Sequence, residues 1–201
     1  MRLVSLVTTV CLTFAAAFAP AADVTVDVAV YGGTSGGVVA ALQAARMGKK
    51  VVLIEPGRHL GGMTSGGLSA VDIGDPRTVG GITREFFTRL VAHYGKKLAW
   101  DEPHKAVGGS GGGTGGAYAI EPHVAEEVFG ELVKEAGVPV LRDARLIEVT
   151  KEGPRISRIV VAGPDGTRRE IAAKMFIDTT YEGDLMAAAG GPFGDGVAHP
   201  P

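Results

Sequence analysis

Cysteine is almost absent: Cys11 is the only one in 201 residues. It lies within an N-terminal apolar run that cleavage would remove. The mature chain is therefore expected to hold no disulfide, no thiol nucleophile, no Cys-ligated zinc and no iron–sulfur cluster. An excess of one charge is also lacking, with 20 Lys+Arg against 22 Asp+Glu and a formal net charge of −2. Without a basic block the chain is not expected to bind nucleic-acid phosphates. Aromatic residues make up only 6%, and the single tryptophan, Trp100, reads as packing. His93, His104, His123 and His199 show no metal spacing with neighbouring acids, so no metal site is expected. There is no Ser/His/Asp arrangement, no close carboxylate pair and no Gly-Lys-Ser/Thr loop.

Long apolar runs are scarce too. The longest, residues 3–19, is short for a membrane span of about 20 residues and is followed by no basic stop. With Met1-Arg2 before it and Ala19-Pro20-Ala21 after it, the segment 1–21 reads as a secretory signal peptide. Cys11 lacks the small residues that precede a lipid-modified cysteine, so no stable membrane anchor is expected. The mature protein is expected in the periplasm or outside the cell. No twin-arginine pair is present, which predicts unfolded export and cofactor loading after it.

What the chain has in excess is glycine, 31 residues, against a usual share of about 7%. With no triplet period, the excess marks sharp turns or backbone lying against a ligand. Residues 27–31 form an alternating, β-branched strand that runs into Gly32-Gly33-Thr34-Ser35-Gly36-Gly37. A helix over 38–47 and a second strand over 50–55 complete a strand–helix–strand unit, which implies parallel pairing. A second glycine cluster spans 61–67. Helices are predicted over 82–94 and 121–136, and strands over 138–141 and 146–149. Strands over 156–161 and 167–172 flank the Gly163-Pro-Asp-Gly166 turn as an antiparallel meander, and 174–178 forms a last, separate strand. The tract 107–117 reads as a flexible loop, and residues 191–201 as an unstructured tail.

The fold class is thus α/β, a Rossmann-like dinucleotide-binding fold with a parallel sheet and an inserted antiparallel meander. In such a fold one glycine permits the turn, the next lets backbone approach the pyrophosphate and the third lets helix lie against strand. Those positions are Gly32, Thr34 and Gly37. Thr34 departs from the pattern, although its hydroxyl can itself donate to a phosphate oxygen. Glu55 ends the second strand 23 residues after Gly32, near the spacing of about 20 for an acid that holds ribose hydroxyls. An acid there disfavours a 2′-phosphate, and hence NADP.

The segment from Glu55 through Gly61-Gly62-Met63-Thr64 resembles the Glu-then-Gly-Gly signature of two-dinucleotide flavoproteins. "DVAVYGGTSGGVVAALQAARMGKKVVLIEP", "HLGGMTSGGL", "EPHVAEEVF" and "FIDTTYEGDLMAAAG" together resemble an FAD-dependent oxidoreductase family. That family includes secreted bacterial members sometimes labelled xanthan lyase and is distantly similar to the heterodisulfide reductase flavin subunit. The resemblance implies FAD as cofactor and residues 22–190 as an FAD-binding region whose relatives continue further. It assigns Gly32, Gly33, Ser35, Gly36 and Gly37 to the pyrophosphate turn and Glu55 to the ribose. Arg58, Gly61, Gly62, Met63 and Thr64 would lie along the pyrophosphate and ribityl chain. Leu146 would touch adenine through its backbone, with Arg145 beside it, and Thr179 and Thr180 would cap the last strand near the cofactor.

A flavin carries out hydride or electron transfer itself, so the protein has to supply position, local charge and a proton carrier. Candidates for that proton are Tyr181, Glu182 and Asp184 after the last strand, and His59 beside the paired glycines. Capping of a helix by Thr180, with acids in its first turn, accounts for the same residues. The substrate and electron acceptor are not identifiable. Two readings follow: an exported FAD-dependent oxidoreductase, or a non-catalytic dinucleotide-binding remnant. A lyase acting on an acidic polysaccharide lacks a basic groove and an acid–base pair.

Overall fold

The computed structural model describes residues 23–68, 78–95 and 121–191. The leader, Trp100, His104, the 107–117 tract and residues 192–201 of the tail lie outside the described residues. Strand β1 (Val24–Tyr31) leads into helix α1 (Ser35–Arg46) and then β2 (Val51–Ile54). Helices α2 (Gly81–His93) and α3 (Pro122–Glu135) follow. Next come β3 (Val140–Leu141), β4 (Arg145–Glu152), β5 (Arg155–Ala162), β6 (Arg168–Asp178) and helix α4 (Asp184–Ala188).

Local chemistry explains the boundaries. Thr34 caps α1, its side chain accepting the Gly37 N–H, so the helix begins at Ser35 rather than at the expected residue 38. Pro122 stands in the first turn of α3, where its missing N–H is harmless.

All six strands form one sheet in the order β3-β2-β1-β6-β5-β4. β3, β2, β1 and β6 run parallel, whereas β6, β5 and β4 pair antiparallel. The two separate strands expected over 167–172 and 174–178 are one continuous strand. β6 pairs antiparallel with β5 through residues 168–172 and parallel with β1 through residues 171–178, so it belongs to both parts of the sheet. Its length lets one strand serve as both the last meander strand and the central parallel one.

Helices cover one face: Val38 and Leu42 of α1, Leu90 of α2 and Leu132 of α3 are buried with Val30 and Leu53 of the sheet. Truncating Leu42 to alanine in this layer would cost about 2–5 kcal/mol. The second face holds Ala29, Tyr31, Val52 and Ile54 in one cluster with Ile159 and Val161 of β5. In strand order β4 is three positions from β1, yet the Tyr31 hydroxyl lies 2.9 Å from the Leu146 amide. Adjacent strands are about 4.8 Å apart, so the meander must fold back across this face. Helices, parallel sheet and meander therefore make three layers, with the ends of β1, β2 and β6 open along one edge.

Candidate functional site

Three turns meet at the carboxyl ends of the parallel strands, where open α/β sheets bind their ligands. The first, residues 32–37, joins β1 to α1. The second follows β2 and contains the single helical turn Gly62–Thr64. The third, residues 179–183, follows β6. A parallel bridge between Thr34 and Gly61 joins the first two, with the Gly61 N–H donating to the Gly33 carbonyl at 2.7 Å. The Thr179 hydroxyl donates to the Gly32 carbonyl at 2.6 Å, joining the third to the first. Tyr181 accepts the Met63 N–H at 2.6 Å, joining the third to the second.

The glycines here are required by close approach. A Cβ on Gly37 would lie 1.9 Å from the Gly32 carbonyl oxygen, and one on Gly32, whose φ is +104°, would lie 2.8 Å from the backbone of Thr179 and Thr180. A Cβ on Gly36, by contrast, would meet only the Thr34 hydroxyl, at 3.7 Å, so the start of α1 is open.

The structure corrects the role given to Thr34. Its hydroxyl proton is held by the Thr179 carbonyl at 2.9 Å, while its oxygen accepts the Gly37 N–H at 3.2 Å. A hydroxyl has one proton, so none remains for a phosphate. Ser35 and Gly36 carry the first-turn N–H groups without a side-chain acceptor among the described residues, at the positive end of the helix dipole.

Glu55 is held by two backbone amides, Oε2 accepting from Gly33 at 2.6 Å and Oε1 from Gly57 at 2.6 Å. Each oxygen keeps further acceptor capacity, which suits the two adjacent hydroxyls of a ribose. Beyond Glu55 lies the start of the meander: the Ala144 N–H donates to the Glu55 carbonyl at 3.0 Å and the Asp143 N–H to the Gly57 carbonyl at 2.8 Å. Arg58, 77% exposed, makes a long 3.4 Å contact with Asp143. Arg145 is exposed at the start of β4. The Leu146 N–H, a donor in the backbone expected to touch adenine, is engaged by the Tyr31 hydroxyl. Burial raises the Tyr31 pKa above its ordinary value, against the lowering effect of that Leu146 amide, so the phenol stays neutral at physiological pH.

Of the proton-transfer candidates, His59 is exposed and pairs with α3. Its Nδ1 lies 2.8 Å from Glu126 of α3, whose other oxygen accepts the Leu60 N–H at 3.2 Å. Thr180 acts as a capping residue, its hydroxyl accepting the Asp184 N–H at 2.8 Å while donating to Asp178 at 2.7 Å. Glu182 and Asp184 are exposed. Tyr181 is exposed but anchored, and a Cβ on Gly62 would fall 2.1 Å from its hydroxyl.

Three residues escaped the sequence reading. Asp178 accepts from Thr180 and, at 2.8 Å, from the Met186 N–H, holding the third turn in shape. Its signal was visible: an acid two residues before Thr180, the spacing of a side-chain-stabilised turn. Tyr31 and Glu126 act on partners 115 and 66 residues away, beyond any local pattern.

The arrangement fits a dinucleotide: an open helix start for a pyrophosphate, a fixed carboxylate for a ribose, and glycine positions that a Cβ would fill. Comparison with known proteins agrees. No curated protein matches the chain. Among solved structures it resembles AlpK, at 20% identity and a TM-score of 0.58, covering 85% of this chain and 34% of that one. A flavoprotein/dehydrogenase from Cytophaga hutchinsonii matches at 19% identity and a TM-score of 0.55, covering 83% and 42%. The myxobacterial FAD-dependent chondrochloren halogenase CndH matches at 18% identity and a TM-score of 0.53, covering 79% and 38%. The chain thus spans about a third to two-fifths of the length of these structures. At such identities the likeness shows the fold alone. The model of the FAD dependent oxidoreductase family, however, matches residues 27–199, and with that match over nearly the whole sequence the chain belongs to the FAD dependent oxidoreductase family and takes FAD as its cofactor.

Proposed function

We propose that this chain is the FAD-binding region of an exported oxidoreductase that moves a hydride or electrons between a small-molecule substrate and an acceptor. The observation that carries the reading is the Glu55 carboxylate, fixed by the Gly33 and Gly57 amides beside the open start of α1. When bound, FAD supplies the redox chemistry. The Ser35 and Gly36 amides and the α1 dipole hold its pyrophosphate, and Glu55 accepts from its ribose hydroxyls. The same carboxylate repels a 2′-phosphate, which disfavours NADP.

Proton handling falls to Tyr181. Its oxygen accepts the Met63 N–H, which makes the phenol a better donor, and its own proton has no acceptor among the described residues. His59 is held by Glu126 of α3 through Nδ1. Export rests on the leader composition of residues 1–21, and among the described residues no helix is long and apolar enough to cross a membrane.

An absorbance and fluorescence titration of the chain with FAD tests the reading. Saturable quenching with a shifted flavin spectrum is expected. A folded sample that leaves the spectrum of free FAD unchanged would sink it. Tyr181→Phe should retain binding and, once the bound flavin has been reduced with dithionite, slow its reoxidation by an artificial two-electron acceptor by about 10–100-fold. An unchanged rate removes Tyr181 from proton transfer.

A further inference from the structure

Tyr31 is used by nothing proposed so far, yet its surroundings tie it to one end of the cofactor site. It is the last residue of β1, directly before the first turn, and is 3% exposed. Its ring lies on the meander face of the sheet, and its hydroxyl accepts the Leu146 N–H at 2.9 Å. Two residues earlier, the Ala144 amide is bound to the Glu55 carbonyl, and Asp143 to that of Gly57. The start of β4 is therefore held at two places, by the backbone of the ribose-binding segment and by the Tyr31 phenol.

The order of groups in a bound dinucleotide follows from these fixed points. With the pyrophosphate at the start of α1 and the ribose on Glu55, the base must continue beyond Glu55 on the side away from α1. That is where residues 143–146 lie. We propose that Tyr31 is a positioning residue for the adenine end of the cofactor. By holding the Leu146 amide it fixes the wall that residues 143–146 form beside Glu55, without touching the flavin end. The inference rests on the FAD-binding reading above and deepens it.

Tyr31→Phe keeps the ring and removes only the hydroxyl that receives the Leu146 amide. The measurement is calorimetric titration of parent and variant with FAD and, separately, with ADP, which carries the adenosine and pyrophosphate but no flavin. Affinity for both ligands is expected to fall by the same factor, about tenfold, the size of one lost buried hydrogen bond. A loss for FAD alone, or for neither, overturns the proposal. A parent chain that binds no FAD overturns the underlying reading instead. Hydrogen exchange on the parent gives a second test that does not depend on the variant folding. ADP should slow exchange over residues 143–147 and leave the far end of the meander, residues 150–157, unchanged. Protection confined to residues 61–64 also overturns the proposal.

Discussion

A methyl group on residue 37 would sit 1.9 Å from the carbonyl oxygen of Gly32, a distance that neither backbone can relieve without parting α1 from β1. Gly37→Ala is therefore expected to destabilise the fold by about 3 kcal/mol or more, read by denaturant unfolding, and to weaken FAD binding in the same sample. Gly36→Ala is its control: the added carbon has only the Thr34 hydroxyl nearby, at 3.7 Å, so stability should change by less than about 1 kcal/mol. Equal losses in the two variants would contradict the close-approach account. At this scale the sequence was partly legible. The spacing of Gly32, Gly37 and Glu55 was sufficient to point to a dinucleotide-binding fold, in keeping with the family match. It was not sufficient to show that the Thr34 proton belongs to Thr179, because that partner lies 145 residues away.

The helices depend on one another through charge as well as apolar packing. Arg46 of α1 forms a two-pronged pair with Glu85 of α2, and Arg89 of α2 reaches both Glu85 and Glu135 of α3. Hydrogen bonding to Arg46, foremost, and to Arg89 holds the Glu85 pKa below its ordinary value of 4.5. A depressed carboxylate contributes stability that is fully present above the unfolded value and is lost as pH falls through the folded one. Stability should therefore be flat in this respect above about pH 5 and decline below pH 4.5. Glu85→Gln should remove about 1 kcal/mol at pH 7 and flatten that part of the acid limb. Thermal unfolding across pH 3–7 measures both, and an acid limb identical in the variant would refute the assignment. Only the Glu85–Arg89 pair, four residues apart within α2, has a local spacing; the Arg46–Glu85 and Arg89–Glu135 pairs join different helices, whose relative placement is set by the sheet. The same limit explains β6. The strands expected over 167–172 and 174–178 are separated only by Ala173, and pairing with both β5 and β1 keeps all 11 residues of β6 extended.

Across the whole molecule, the parallel strands end together, and the three turns that leave them are cross-linked by Thr34, Thr179 and Tyr181. Ligand affinity and fold stability are consequently linked: anything that binds the folded junction stabilises it by mass action. Saturation with FAD at 100 times its Kd should add about 2.7 kcal/mol and raise Tm by several degrees. Fold class, strand–helix–strand order and the meander were readable from periodicity and turn residues, because those signals are local. The folding of the meander over the sheet was not, because it depends on contacts such as that between Tyr31 and Leu146.

The central claim is that Glu55, presented by two backbone amides, is the anchor of an FAD site. Calorimetric titration of FAD into the parent chain and into Glu55→Gln tests it most directly. An amide at residue 55 turns one of two acceptors into a donor that faces the Gly33 or Gly57 N–H. The account predicts one site per chain in the parent and an affinity lower by about 10–100-fold in the variant. Equal affinity in the two proteins, or no heat of binding from a folded parent, would contradict it.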